Sequence, residues 1–109
     1  MTSEFVLTDL WGDMHDSNDP QAIAALLQTL DQADREHGDV SIKLPNEWSI
    51  SVYANGNVVY ENLESRTDQP RHMTGVPRAE AIRVANLLIS EDFEALEAES
   101  WLPGYPKRA

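Results

Sequence analysis

The chain has 109 residues, a formal net charge of −11 and no cysteine. Its length predicts a single domain over residues 1–109, and 41% of hydrophobic residues is enough for a packed core. The lack of cysteine excludes disulfides, thiolate metal sites and thiol nucleophiles. The excess of acidic side chains argues against a nucleic-acid partner, because phosphate binding needs clustered lysine and arginine. It favours a basic protein partner instead.

The N-terminal residues do not resemble a targeting segment. The sequence Met-Thr-Ser-Glu-Phe-Val-Leu lacks the basic region and the long apolar run of a secretory signal. No window approaches the roughly 18 apolar residues that a membrane helix requires. We therefore expect a soluble cytoplasmic protein with no membrane partner.

The acidic charge is concentrated in residues 1–40, which carry nine acidic side chains and one basic one, a net −8. Residues 41–75 carry four acids and three bases, and residues 76–109 carry six acids and four bases. Charge runs are usually solvated surfaces. An acidic docking surface is the alternative interpretation, and both stay open at this point.

The N-terminal part of the chain predicts one strand, a polar loop and one helix. Residues 5–10 are short, apolar and partly alternating, which is typical of a strand, and residues 11–19 have the composition of a loop. Asp19 and Pro20 then favour a helix start, because the carboxylate caps the helix and proline suits its first position. Gly38 provides its end. The inner stripe of this helix comprises Ile23, Leu26, Leu27, Leu30 and Ala33.

A hairpin is the clearest prediction in the middle of the chain. Residues 40–44 and 48–53 alternate apolar and polar side chains, and residues 58–63 form the return strand. Asn55-Gly56 favours a two-residue turn. This register predicts a core face of Trp48, Ile50, Val52, Val59, Glu61 and Leu63, and an outer face of Ser49, Ser51, Tyr53, Val58, Tyr60 and Asn62.

The C-terminal part predicts a loop or short edge strand over residues 71–74 and a helix that begins at Pro77. A short helix capped by Ser90 follows, and residues 102–109 are expected to be a flexible tail. The order β-α-β-β-β-α-α indicates an α+β fold. We expect an antiparallel sheet of about four strands with helices packed on one face.

The sequence contains no recognised catalytic motif. It has no glycine-rich phosphate loop, no Gly-x-Ser-x-Gly elbow and no His-Glu-x-x-His sequence. We therefore expect no enzyme, no catalytic residue and no cofactor, with a small enzyme that uses His72 as the alternative. Glu61 is an anomaly on the predicted core face, where an unpaired carboxylate is costly. We expect it to pair with a base such as Arg71 or Arg83, and the alternative is that it reaches water near the end of the strand.

Two groups of residues are candidates for binding a partner. The first group is Asp13, Asp16 and Asp19 in the predicted loop, where His15 adds some metal-like character. Its spacing matches neither a calcium loop nor a zinc motif, so we expect no bound metal. The second group is Tyr53 and Tyr60, because tyrosine combines apolar area with a polar tip. The alternative is that an N-terminal segment covers these tyrosines, and the two groups need not adjoin.

Three stretches of the chain carry a family resemblance. They are Trp48–Tyr53 with Asn55-Gly56, then residues 77–82, then residues 90–93 leading to Trp101. In order and composition, over residues 20–102, the chain resembles small acidic immunity proteins of bacterial toxin–immunity pairs. The resemblance implies a protein that binds one cognate toxin and blocks its active or substrate site, but it carries over no binding residue.

Together with the charge, this resemblance leads us to expect a basic toxin, such as a nuclease, as the partner. The protein that binds it would be a monomer or a homodimer. The alternative is a homodimeric structural or regulatory module without catalytic activity.

Overall fold

The computed structural model describes residues 4–65 and 67–106. Its elements are β1 (Phe5–Thr8), β2 (Met14–Ser17), α1 (Gln21–Gln28), β3 (Asp39–Lys43), β4 (Trp48–Tyr53), β5 (Val58–Asn62), β6 (Arg71–Met73), α2 (Arg78–Ile89), α3 (Phe93–Glu97) and β7 (Leu102–Pro103). The strands form one antiparallel sheet in the order β2-β1-β3-β4-β5-β6-β7. The α+β class with an antiparallel sheet is confirmed, but the sheet has seven strands rather than about four.

The strands that the sequence did not predict are the two at the edges of the sheet. β2 lies in the stretch expected to be a loop, and pairs with β1 so that Phe5 is opposite Ser17. β7 lies in the segment expected to be a flexible tail, and places Leu102 opposite His72. Residues 107–109 lie outside the described part. Edge strands bury little apolar surface, so they lack the alternation on which strand prediction depends.

The first helix begins where predicted but ends earlier. The Asp19 carboxylate accepts the backbone N–H of Gln21 at 3.0 Å, and the helix continues as a 3₁₀ turn only as far as Gln32. Beyond it, the Asp34 carboxylate accepts two backbone N–H groups of the following turn at 2.8 and 2.9 Å. These bonds satisfy the backbone without a helix, so the predicted end at Gly38 is wrong.

The two later helices are joined by a tight connection. α2 begins at Arg78, one residue after the predicted start at Pro77. Ser90 closes α2 rather than capping α3, because its hydroxyl donates to the Asn86 carbonyl at 2.7 Å. The cap of α3 is Asp92, which accepts the N–H of Ala95 at 3.2 Å. Within the described ranges, no helix has the length and apolar composition to cross a membrane, and α2 has 12 residues.

The β4–β5 hairpin lies one residue away from the predicted register. Val52 is opposite Val58, and the N–H of Gly56 donates to the Tyr53 carbonyl at 3.0 Å. Gly56 has a φ of +93°, whereas Asn55 does not have positive φ. A two-residue type I′ turn requires positive φ at both positions. The loop is therefore three residues long, a turn followed by a left-handed glycine.

The shifted register exchanges the faces of β5. Tyr60, predicted on the outer face, is 1% exposed and belongs to the core under the helices, whereas Glu61 lies on the opposite side of the sheet. The helices contact the sheet at β3 and β4, on the core side. We call the other side the open face; its residues are Val6, Thr8, Met14, Asp16, Asp39, Ser41, Lys43, Ser49, Ser51, Tyr53, Val59, Glu61, His72 and Leu102.

Candidate partner-binding surface

The tip of the β1–β2 hairpin, residues 9–13, is organised by the side chain of Asp9. Its Oδ1 accepts the N–H groups of Trp11 at 2.9 Å and Asp13 at 3.0 Å, while its Oδ2 lies 2.9 Å from Nε2 of His15. These hydrogen bonds lower the pKa of Asp9, with the bond to His15 as the largest cause. The carboxylate is therefore ionised and holds the loop in one conformation.

The three predicted carboxylates lie along this hairpin and its exit, but they differ in position. Asp13 is exposed at the tip, and Asp16 is exposed on the open face opposite Val6. Asp19 is exposed beside the start of α1, where it receives the N–H of Gln21. Of these three carboxylates, Asp16 lies on the same face of the sheet as Tyr53.

The two predicted tyrosines lie on opposite sides of the sheet. Tyr53 is half-buried on the open face, opposite Asp39. Tyr60 is in the core, where its ring centroid lies 4.9 Å from that of Trp48 and 5.2 Å from that of Trp101. The prediction that Tyr60 faces outward is wrong because the hairpin loop has three residues. We therefore leave Tyr60 out of the candidate surface.

A partly exposed ion pair lies beside the buried Tyr60 ring. The Tyr60 hydroxyl makes no hydrogen bond of normal geometry with the described residues, although burial and the nearby Glu97 carboxylate both raise its pKa. Glu97 is bound by two N–H groups of Arg71, at 2.5 and 2.7 Å, and the guanidinium lies 4.8 Å from the Tyr60 ring centroid. Arg71 thus pairs with Glu97. The predicted pair between Arg71 and Glu61 does not form.

Glu61 instead accepts a hydrogen bond from the C-terminal segment. The hydroxyl of Tyr105 lies 2.5 Å from Glu61 Oε1 and donates to it, which raises the pKa of Tyr105 to about 12. Nearby, Nδ1 of His72 donates to the Gly104 carbonyl at 2.7 Å, which gives this histidine a hydrogen-bonding role. A C-terminal rather than an N-terminal segment therefore reaches the tyrosine-bearing face. The sequence did not indicate Tyr105, since no local pattern shows that the tail returns to the sheet.

Most of the described lysine and arginine side chains form ion pairs with carboxylates, mainly on the helix side. Arg78 bonds Asp31 at 3.2 Å, and Arg83 bonds two carboxylates. On the open face, Lys43 pairs with Glu47 at 3.1 Å. Three carboxylates of the open face have no basic partner among residues 4–65 and 67–106; they are Asp16, Asp39 and Glu61.

Exposed apolar groups lie around the open face. Met14 is 66% exposed, Tyr105 is 60% exposed, and Trp11 at the adjoining tip is 54% exposed. Three strand spacings of about 4.8 Å separate Met14 from Ser51, and Tyr53 lies two residues further along β4. Met14 is therefore about 16 Å from Tyr53, across small side chains. A typical interface of about 800 Å² on each partner is about 30 Å across. One partner could therefore cover the hairpin tip and Tyr53 together, a question that the sequence had left open.

The cleft beside α2 presents no unpaired charged side chain among the described residues. A cleft of about 360 Å³ lies between β6, α2 and the segment before β7. Arg83 lines it and bonds Glu80 at 2.8 Å and Glu99 at 2.7 Å, so the charges of the cleft are paired with one another. Among the described residues, no three His, Asp or Glu side chains are grouped so that they could hold a metal ion.

Comparison of the chain with protein-family models, with curated proteins and with solved structures finds no match in any of the three. The function must therefore be argued from the fold and its surface. The most distinctive part of that surface is the open face with the adjoining hairpin tip.

Proposed function

We propose that the protein is an immunity or inhibitor protein that binds a cognate basic toxin and blocks its active or substrate site. The observation that carries the proposal is the composition of the open face. Carboxylates without basic partners among the described residues lie there beside exposed tyrosine and methionine, and three arginines on the helix side are each bound to a carboxylate. Such a face complements a cleft that binds an anionic substrate.

The mechanism is occlusion assisted by electrostatic steering. Asp13 and Asp16 project from the hairpin, Asp19 adds its charge at the start of α1, and Tyr53 supplies apolar contact area on the same sheet. Carboxylates in a basic cleft take the place of the substrate's negative groups. Because long-range attraction acts mainly on encounter, it raises the association rate more than it slows dissociation.

A symmetric homodimer through the same face is less favourable on charge. A two-fold contact would bring the open faces of two copies together, and each face carries the carboxylates of Asp16, Asp39 and Glu61. Like charges in one interface cost binding free energy. We therefore favour a basic partner over a second copy of the chain.

Co-expression with the product of the neighbouring open reading frame tests the proposal. We expect that product to arrest growth of a host cell, and the wild-type chain to restore growth by direct binding. An Asp13→Asn/Asp16→Asn variant should associate about tenfold more slowly at low salt and approach the wild type at high salt.

The matched control is Glu64→Gln/Glu94→Gln, which removes the same charge from two exposed positions outside the open face. Its association rate should stay within about twofold of the wild type, because only charges near the interface steer strongly. A neighbouring product that is neither toxic nor bound by the wild-type chain would overturn the proposal.

A further inference from the structure

The β1–β2 tip and the first residue of β2 present two large apolar side chains to solvent within four residues, Trp11 and Met14. We infer that they anchor the interface by entering an apolar pocket of the partner protein, whose rim carries lysine or arginine. This inference rests on the proposed function and deepens it. It names the residues that make the central contact and the chemistry that the partner must offer.

The tip is held by side-chain and backbone hydrogen bonds in the unbound chain. Besides the side-chain bonds of Asp9, its backbone N–H donates to the Asp13 carbonyl at 2.9 Å, and the N–H of Gly12 donates to the Asp9 carbonyl at 3.1 Å. Gly12 has a φ of +84°, which this tight turn requires. A preorganised loop loses little conformational entropy on binding, so its exposed side chains contribute more to affinity.

The two apolar side chains suit an anchor. Tryptophan is enriched among the residues that dominate interface energetics, and methionine adapts its shape to irregular pockets. Single exposed apolar residues are common on protein surfaces. Here Trp11 and Met14 lie on either side of Asp13 in the chain, and five hydrogen bonds that involve Asp9 atoms hold the loop that carries Trp11 and leads to Met14.

The carboxylates around the anchor determine the chemistry of the partner. Asp13 and Asp16 are both exposed and make no ion pair with the described residues. A purely apolar pocket would strip water from them without compensation. A pocket with cations at its rim would compensate them, and this is the arrangement that a basic cleft provides.

Leu63 supplies a matched control. It is 54% exposed, the same fraction as Trp11, but it follows the end of β5. The strand pairing places that end opposite the start of β4, away from the tip. Truncation there removes exposed apolar area without touching the proposed anchor.

The experiment measures binding of the neighbouring open reading frame's product to Trp11→Ala, Met14→Ala and Leu63→Ala. We expect Trp11→Ala to weaken affinity about 30-fold, mainly through faster dissociation, and Met14→Ala about tenfold. Leu63→Ala should stay within about twofold, since it lies outside the interface. All three variants should unfold like the wild type, because each side chain is exposed.

Two further variants test the rim and the pocket separately. Asp13→Lys should weaken binding more than Asp13→Asn, because it adds repulsion from the partner's cations. Binding should shift the tryptophan fluorescence of the wild type to shorter wavelength, and Trp11→Phe should lose this shift.

The outcomes separate the inference from the proposed function. Tight binding by the wild type with equal binding by Trp11→Ala and Met14→Ala would overturn the anchor and leave the inhibitor function standing. An equal loss in Leu63→Ala would also overturn it, since the effect would not be specific to the tip. No binding by the wild type would overturn both.

Discussion

The hydroxyl of Tyr105 donates a hydrogen bond to the Glu61 carboxylate, although 44 residues separate the two in the chain. Together with the contact between His72 and Gly104, this bond holds the C-terminal segment against the sheet. It also accounts for Glu61, a carboxylate that the predicted register placed in the core. The pair therefore links the end of the chain to the proposed interface.

The Tyr105–Glu61 bond makes the free energy of unfolding decrease as the pH rises in the alkaline range. The folded-state pKa of Tyr105, about 12, exceeds its ordinary value of 10.0, first because of the bond to Glu61 and then because of burial. The bond thus stabilises the folded state fully below pH 10.0 and is lost as pH rises towards about 12.

We expect Tyr105→Phe to lower the free energy of unfolding at neutral pH by less than about 1 kcal/mol, because the pair is exposed. The difference should shrink between pH 10 and about 12. Urea denaturation across this range measures it, and Glu61→Gln should lower the pKa of Tyr105 towards its ordinary value in a tyrosinate absorbance titration. An undiminished difference at the upper end would contradict the assignment.

Removal of the Tyr60 hydroxyl should not destabilise the core. This buried group has no hydrogen-bond partner of normal geometry among the described residues. We expect Tyr60→Phe to leave the free energy of unfolding unchanged or to raise it by up to about 1 kcal/mol. Tyr60→Ala should lower it by about 3–5 kcal/mol, because a cavity forms beside Trp48 and Trp101. Urea denaturation distinguishes the cases, and a clear loss in Tyr60→Phe would show that the hydroxyl is bonded.

The hairpin loop should tolerate no side chain at Gly56. A Cβ there would lie 3.3 Å from the backbone nitrogen of Val76, and φ is +93°. We expect Gly56→Ala to lower the free energy of unfolding by about 1–2 kcal/mol or more. Gly38→Ala is the matched control, because its φ is not positive and its Cβ would meet only the Asp34 carbonyl oxygen at 3.8 Å. Equal losses in both variants by chemical denaturation would argue against the three-residue loop.

Asp9 should control the order of the proposed anchor. Asp9→Ala removes the acceptor for the amides of Trp11 and Asp13, so we expect several-fold faster hydrogen exchange at both. Asp9→Asn keeps an acceptor oxygen and should have a smaller effect. Amides of the central strand, such as that of Ile50, provide the internal reference. Unchanged exchange at the tip in Asp9→Ala would contradict this role.

The same contacts predict an acid-dependent loosening of the tip. The folded-state pKa of Asp9 lies below 3.8, so its contribution is present above pH 3.8 and is lost as pH falls through the folded value. Hydrogen exchange at Trp11, corrected for intrinsic rates, should therefore rise only in strong acid. In Asp9→Ala, the corrected rate should be independent of pH over this range.

The sequence predicted those elements whose signals are local. Residues 40–44 alternate, Pro77 precedes α2, and Asp19 begins the first helix, and each of these predictions agrees with the structure. The strands at the sheet edges, β2 and β7, were missed because polar or very short edges bury too little apolar surface to show a pattern. For the candidate surface, the sequence was enough to propose the exposed carboxylates of the hairpin. It did not predict that Asp16 and Tyr53 lie on the same face of the sheet.

The sequence by itself determined the charge, the α+β class and the central strands, because composition and short-range periodicity act within a few residues. Only the tertiary structure decided the side on which Tyr60 and Glu61 lie. A shift of one residue exchanges the two faces, and the core accepts an aromatic ring far more readily than an unpaired carboxylate. Tertiary structure likewise decided that Asp16 and Tyr53 lie on one face of the sheet and that Tyr105 reaches the same face, since no local pattern sets the strand order or the path of the C-terminal segment.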